Sequence, residues 1–257
     1  MKDLLKDTLY PAAMLMLLVG AWLAGVYLLH LPPYLLPSPH DVFDRLTGDF
    51  GYLMWHSGVT TFISLAGFFL SIVIGIPLAI ALVSSKILDR TLMPWLVLSQ
   101  TFPKVALAPL ITVWFGLGMG PKIGVTFLVA FFPVLISSVV GLRSIESEMI
   151  ELADSMKASR LQKFWKFRLP MALPSIFAGI KVSVAFSIVG AVIAEWVGAT
   201  QGLGYLLLQA NASLDTSLLF AVLICLTVIG VVLYYSVEWL EKMMIPWHAT
   251  VRLKDRL

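Results

Sequence analysis

Charge is scarce in this chain. Only 13% of its 257 residues are Asp, Glu, Lys or Arg, while 59% are hydrophobic. A soluble domain carries about a quarter charged residues, so a soluble globular fold is excluded. Cysteine is nearly absent: Cys225 stands alone inside an apolar run, which rules out an intramolecular disulfide. The four histidines, His30, His40, His56 and His248, are scattered over separate segments and suggest no metal cluster. No nucleophile–base pair has a recognisable context. The glycine-rich stretch GLGMGPK at 116–122 lacks the phosphate-loop spacing: Pro121 precedes Lys122 and Ile123 follows it, so it reads as a turn. These absences argue against an enzyme, against a metal and against a cofactor in this chain. The net charge of +3 does not point to nucleic acid, because the basic residues lie between apolar runs, where topology explains them.

Long apolar runs are what the chain does have. A helix crossing a bilayer needs about 20 such residues, and six runs qualify, at about 11–31, 57–84, 91–115, 123–142, 173–194 and 217–237. The expectation is an all-α polytopic membrane protein with six transmembrane helices in a single transmembrane domain, 1–257. The first run reads as an uncleaved helix, being longer than a signal-peptide core. The proline-dense stretch LPPYLLPSPHDVFDRL after it reads as an ordered turn region. Pro94, Pro103 and Pro109 predict a kinked third span. Small residues recur every four positions in two spans, as Gly67, Ser71, Gly75 and Ala79, and as Ser175, Gly179, Ser183, Ser187 and Ala191. Such ladders let helices approach closely. With the N-terminus inside, 14 of the 18 Lys and Arg residues fall on cytoplasmic segments, which places both termini in the cytoplasm.

The longest well-charged segment lies at 143–172. With Arg143 it holds six basic and four acidic residues between two apolar spans. Ile145, Met149, Leu152, Ala153 and Met156 recur near the helical period and give a first short helix an apolar face toward the bundle. Ser159 with Gln162 three residues on reads as a capping box that starts a second, carrying Leu161, Phe164 and Trp165 on one side. Pro170 and Pro174 are expected to break it. A helical pair of this kind at a membrane surface can be gripped by a soluble partner; an ordinary amphipathic loop is the plainer alternative. Three charges fall in or beside apparent spans. Lys181 is near enough to the cytoplasmic side to snorkel, Lys104 lies among prolines, and Glu195 beside Trp196 is either a rim residue or lines an outer cavity.

The same central segment resembles the signature loop of binding-protein-dependent ABC importer permeases, E-A-A-x-x-x-G-x(9)-I-x-L-P. Glu151, Ala153, Leu169 and Pro170 match it; Leu152, Lys157 at the glycine position and Phe167 at the isoleucine depart. A left-handed turn at Lys157 would cost roughly 1 kcal/mol, unless the turn shifts to Ala158 and Ser159. The resemblance reaches nearly the whole chain. Leu36-Pro37-Ser38-Pro39, the piece from Pro109 through Trp114-Phe115-Gly116-Leu117-Gly118, and Ala194-Glu195-Trp196-Val197-Gly198-Ala199 through Gly202-Leu203-Gly204-Tyr205 look like the nitrate/sulfonate/taurine branch. The Glu-Trp-Val-Gly form looks like permeases for thiamine pyrimidine precursors or riboflavin.

The resemblance implies a type I ABC importer permease fold in the bacterial inner membrane. It implies two permease copies, two cytoplasmic ATPase subunits that bind ATP and magnesium, and an external solute-binding protein. The segment 143–172 becomes the coupling region, with Glu151, Ala153, Lys157, Ser159, Arg160, Leu169 and Pro170 facing or joining the ATPase. Ser183, Ser187, Glu195 and Trp196 become candidates for the translocation pathway. An ion-coupled secondary transporter, for which the chain shows no convincing internal repeat, and a non-transporting membrane scaffold stay open.

Overall fold

Ser38 starts the first well-capped helix of the chain. In this computed structural model, which describes residues 2–145 and 147–247, its hydroxyl accepts the Asp41 N–H at 3.2 Å, and the Asp41 carboxylate accepts the Ser38 N–H at 3.0 Å. This reciprocal cap sets helix α2, Pro39–Gly48, after the apolar helix α1, Lys2–Leu28. Ser38 donates from both its hydroxyl and its N–H to Asp41, so these bonds hold the carboxyl below its ordinary range. Trp22 of α1 donates its indole N–H to the Pro37 carbonyl at 2.9 Å, tying the proline segment down. Glu146, Arg252, Lys254 and Arg256, used in reading charge and topology, and His248, weighed as a metal ligand, lie outside the described residues.

Helix α3, Phe50–Ser84, is 35 residues long and carries the first ladder. Ser85 caps α4, Lys86–Thr101, and Pro103 precedes α5, Lys104–Phe115. These two meet at 97°. Of the three prolines in this span only Pro103 interrupts it: Phe102 and Pro103 are extended, whereas Pro94 and Pro109 lie within helix. Gly116, in the left-handed region at φ 84°, ends α5, and α6, Met119–Arg143, starts after Gly118. The glycine-rich stretch is therefore a turn plus the first turn of α6.

Two short helical pieces follow, α7 at Ser147–Ser155 and α8 at Arg160–Lys163. A π-helical turn at Phe164–Arg168 leads into α9, Leu169–Trp196. Then come α10, Leu203–Ala212, and α11, Thr216–Met244. Among the described residues four helices are long and apolar enough to cross a membrane: Phe50–Ser84, Met119–Arg143, Arg160–Trp196 and Thr216–Met244, or five if the bent α4–α5 pair is one span. At the N-terminus the apolar helix Ala12–Leu28 is shorter. Its chain turns at His30, which takes φ 50° ahead of Pro32 and Pro33.

The core forms around α6, which packs between α3 and α9. Both ladders lie against it. A methyl group on Gly67 would stand 2.4 Å from Thr126 Cγ2, and one on Gly179 would stand 2.7 Å from the Pro133 carbonyl oxygen. The absent side chains are what let the backbones touch. Phe68, Leu82, Phe132, Leu135, Leu142 and Ile176 fill the same core toward the charged end. Lys104 sits over the Phe132 ring, its Nζ 4.3 Å from the centroid. Lys181 differs from the snorkelling expectation: it donates to Glu241 of α11 at 2.7 Å, with both side chains largely buried. A membrane-embedded charge is costly unless paired, and Glu241 supplies the partner.

Candidate functional site

The charged end of the bundle is built by the turn at Lys157. The Lys157 N–H donates to the Asp154 carbonyl at 2.9 Å and the Ala158 N–H to the Ala153 carbonyl at 3.0 Å, while Lys157 itself takes φ 53°. This pattern ends α7 in a Schellman motif whose left-handed position favours glycine. The turn does not shift to 158–159. Two residues after Lys157 the capping box read from sequence begins: Ser159 Oγ accepts the Gln162 N–H at 3.3 Å, and Gln162 Oε1 accepts the Ser159 N–H at 2.8 Å. An ion pair between Lys163 and Asp154 holds α8 against α7, and another between Arg143 and Asp89 joins α6 to α4.

Pro170 does not break the chain here. The Leu169 N–H reaches back five residues to the Phe164 carbonyl, and Pro170 occupies the first turn of α9, where its missing N–H is absorbed. Arg160 and Trp196 are consequently the ends of one helical run. The apolar residues also fall otherwise than the periodicity predicts. Ala153 is buried and Met149 partly so, but Leu152, Met156, Leu161 and Trp165 are all more than half exposed. With only nine residues, α7 presses a single row, Met149 and Ala153, onto the bundle, and the Schellman turn carries the chain away before a second row can form.

A groove of about 620 Å³ remains between this pair and the end of α3, lined by Val83, Ile145, Met149, Ala153, Phe164 and Arg168 among others. Arg160 is exposed on its wall, Glu151, Lys157 and Ser159 are exposed elsewhere on the same helical pair, and Leu169 and Pro170 are half-buried. The surface of this pair therefore mixes exposed apolar side chains with both signs of charge.

The opposite end holds a buried polar knot. Helix α10 has no side-chain cap of its own, so its first N–H groups need partners from elsewhere. Three consecutive ones find them: the Gly202 N–H donates to His56 Nδ1 at 2.9 Å, that of Leu203 to Thr60 Oγ1 at 2.7 Å, and that of Gly204 to Glu195 Oε2 at 2.7 Å. The Thr60 hydroxyl donates in turn to Glu195, 2.8 Å from Oε1. As an acceptor at Nδ1, His56 carries its proton on Nε2. A carboxylate at a helix N-terminus is also favoured by the helix dipole. Gly202 takes φ 112°, and a methyl group there would stand 2.2 Å from the Glu195 carboxyl carbon.

Of the four pathway candidates, Ser183, Ser187 and Glu195 are enclosed by helices of the same chain, and Trp196 is exposed. Ser183 donates to the Ala130 carbonyl at 2.8 Å, and Ser187 to the Val184 carbonyl at 2.7 Å. Sequence reasoning passed over His56 and Thr60. Their spacing extends the ladder of Gly67 and Ser71 back along α3 through Ser64, and that continuation was the available signal.

The family model for the inner membrane component of binding-protein-dependent transport systems matches residues 71–246, which include the whole central charged segment. The chain belongs to this family. It is thus a permease subunit of an ABC importer, a non-catalytic membrane component of a complex that takes up a small solute delivered by an external binding protein. Among the described residues no group of three His, Cys, Asp or Glu could hold a metal. The permease is 39% identical over 238 residues to a riboflavin transport system permease protein, RibX, of Chloroflexus aurantiacus, covering 92% of this chain and 89% of that protein. It is 38% identical over 237 residues to a probable ABC transporter permease protein of Haemophilus influenzae, covering 92% and 95%. It is 34% identical over 243 residues to the formylaminopyrimidine transport permease ThiX of Halalkalibacterium halodurans, covering 94% and 96%. An inward-facing structure of the MetNI methionine ABC transporter shares the fold, with a TM-score of 0.63 at 20% identity over 76% of this chain and 94% of that one.

Proposed function

We propose that this permease imports a small heteroaromatic solute, a thiamine pyrimidine precursor or a flavin-like compound, in the bacterial inner membrane. Near-complete alignment with permeases named for formylaminopyrimidine and riboflavin carries this reading. In it, two copies of the chain, each with six spans and both termini in the cytoplasm, assemble with two cytoplasmic ATPase subunits. The groove end binds the ATPase. Glu151, Lys157, Ser159 and Arg160 supply the exposed contacts, and Ala153 anchors the helix to the bundle. Leu169 and Pro170 join α8 to α9, so a push from the closing ATPases on α8 travels along a single rod. At 1.5 Å per residue the run Arg160–Trp196 is about 55 Å long, enough to reach from one membrane face to the other.

Trp196 stands open at the far end, where it fits a pathway for an aromatic solute. Ser183, Ser187 and Glu195 form the packed wall behind that pathway. The test is co-reconstitution with the ATPase and the binding protein in proteoliposomes. The expected result is ATP-dependent uptake of formylaminopyrimidine or riboflavin but not of taurine. Uptake of taurine, another sulfonate or nitrate alone would move the permease to the other branch, and uptake driven by an ion gradient without the ATPase would overturn the importer reading.

A further inference from the structure

Glu195 looks at first like a solute ligand: an acidic side chain at the end of a span beside an exposed tryptophan. Its surroundings argue otherwise. It is 1% exposed, and both carboxylate oxygens point inward, to the Thr60 hydroxyl and to the Gly204 N–H. The backbone at Gly202 lies so close over the carboxyl group that even a methyl could not be added there, so no solute atom reaches the carboxylate while the loop stays in place. What the carboxylate does touch is the start of α10. Together with Thr60 and His56 it captures three successive N–H groups, and those three side chains come from two different helices, α3 and α9.

The segment between Trp196 and Gly202 is thereby fixed at both ends. One end continues α9; the other is pinned under the knot. Along it Trp196, Thr200 and Gln201 are exposed, and Gly198 at φ 64° seats it against Leu117 in the turn before α6. It lies at the far end of the helical run that begins at Arg160 beside the groove. We infer that Glu195 and Thr60 are positioning residues, which lock the 196–202 loop to the adjoining ends of α9 and α3 so that it presents a fixed docking surface to the solute-binding protein, coupled to the helix that the ATPase pushes. This rests on the importer reading above, which supplies both partners.

The experiment measures ATPase activity of the reconstituted complex against the concentration of solute-loaded binding protein, with and without that protein. Thr60→Val removes the hydroxyl that accepts from Leu203 and donates to Glu195, at nearly constant volume; Thr60→Ser keeps it. Thr60→Val is expected to raise the half-saturating concentration of binding protein by about tenfold, the order set by stranding the Leu203 N–H that holds the loop, and to leave the activity without binding protein at the wild-type rate. Thr60→Ser and Glu195→Gln are expected to stay within about threefold of wild type, because the serine hydroxyl and the glutamine carbonyl still accept from the loop. Gly202→Ala serves as a second perturbation from the loop side, with the same expected split. A Thr60→Val complex with wild-type half-saturation overturns the inference. So does a Glu195→Gln complex that keeps wild-type stimulation but loses solute uptake, since the carboxylate would then be acting on the solute. A loss of activity in both conditions, with Thr60→Ser equally affected, also overturns it, because the knot would then serve folding alone. A wild-type complex that shows no stimulation at all overturns the importer reading itself and is distinguished by that control.

Discussion

Gly179→Ala should be among the most damaging methyl additions available to this permease. Gly179 lies in α9 where that helix crosses α6. The added carbon would stand 2.5 Å from Ser137 Cβ and 2.7 Å from the Pro133 carbonyl oxygen. Carbon atoms rest at about 3.5–4.0 Å, so the two helices must part by about 1 Å along that crossing. The carbonyl is backbone and cannot rotate aside, and a gap of that size forfeits a quarter to a half of the dispersion energy of each contact it opens. Overpacking of this kind costs about 1–3 kcal/mol, and in a chain of this length each kcal/mol lowers Tm by about 2–4 °C. The assay is thermal unfolding in detergent followed by size exclusion, with Gly124→Ala as the control. Gly124 lies in α6, but a methyl there meets nothing within 4 Å, so its Tm should match wild type or rise. Gly141→Ala, whose methyl would meet Ser175 Cβ at 2.7 Å and the Ala172 carbonyl at 2.9 Å, should behave like Gly179→Ala. If Gly179→Ala and Gly141→Ala melt together with Gly124→Ala, the close-packed ladder argument is wrong.

Three further outcomes follow from the same geometry. Lys157→Gly should stabilise the end of α7 by about 1 kcal/mol, since glycine takes the left-handed position without the penalty lysine carries; slower hydrogen exchange of the Ala158 amide, which donates to Ala153, would show it. Lys181→Met or Glu241→Met alone should destabilise the permease more than the double substitution does, because each single change strands a largely buried charge; thermal unfolding of the four combinations gives the coupling. The Asp41 carboxyl should titrate below its ordinary value, and Ser38→Ala should move the midpoint up, which carboxyl NMR can follow. A folded pKa below the unfolded one means that the cap on α2 stabilises above the unfolded pKa and is lost as pH falls through the folded one.

The membrane class and the close-packed ladders were legible because hydropathy and small-residue spacing are linear signals. Ser159 and Gln162 sit three residues apart, so their cap could be read directly. The π-helical turn could not: it depends on the Leu169 N–H reaching Phe164 so that Pro170 can enter a helix, and proline alone predicts a break. The outward placement of Leu152, Met156, Leu161 and Trp165 was hidden for a related reason, since periodicity gives a stripe but not how long the helix presses on its neighbour. The knot was the least legible part. His56 and Thr60 lie more than 130 positions from Glu195 and Gly202, and only the crossing of α3 with α9 brings them to one helix N-terminus.

We propose that the ATPase grips this permease at the 143–172 segment. The most direct measurement is co-purification of the detergent-solubilised chain with its ATPase subunit, comparing wild type with Glu151→Arg. Glu151 is exposed on α7, so the substitution should leave the permease folded, with an unchanged elution profile, while abolishing assembly. Recovery of the ATPase with Glu151→Arg at the wild-type level, or no association of the wild-type chain with any ATPase, would contradict the account.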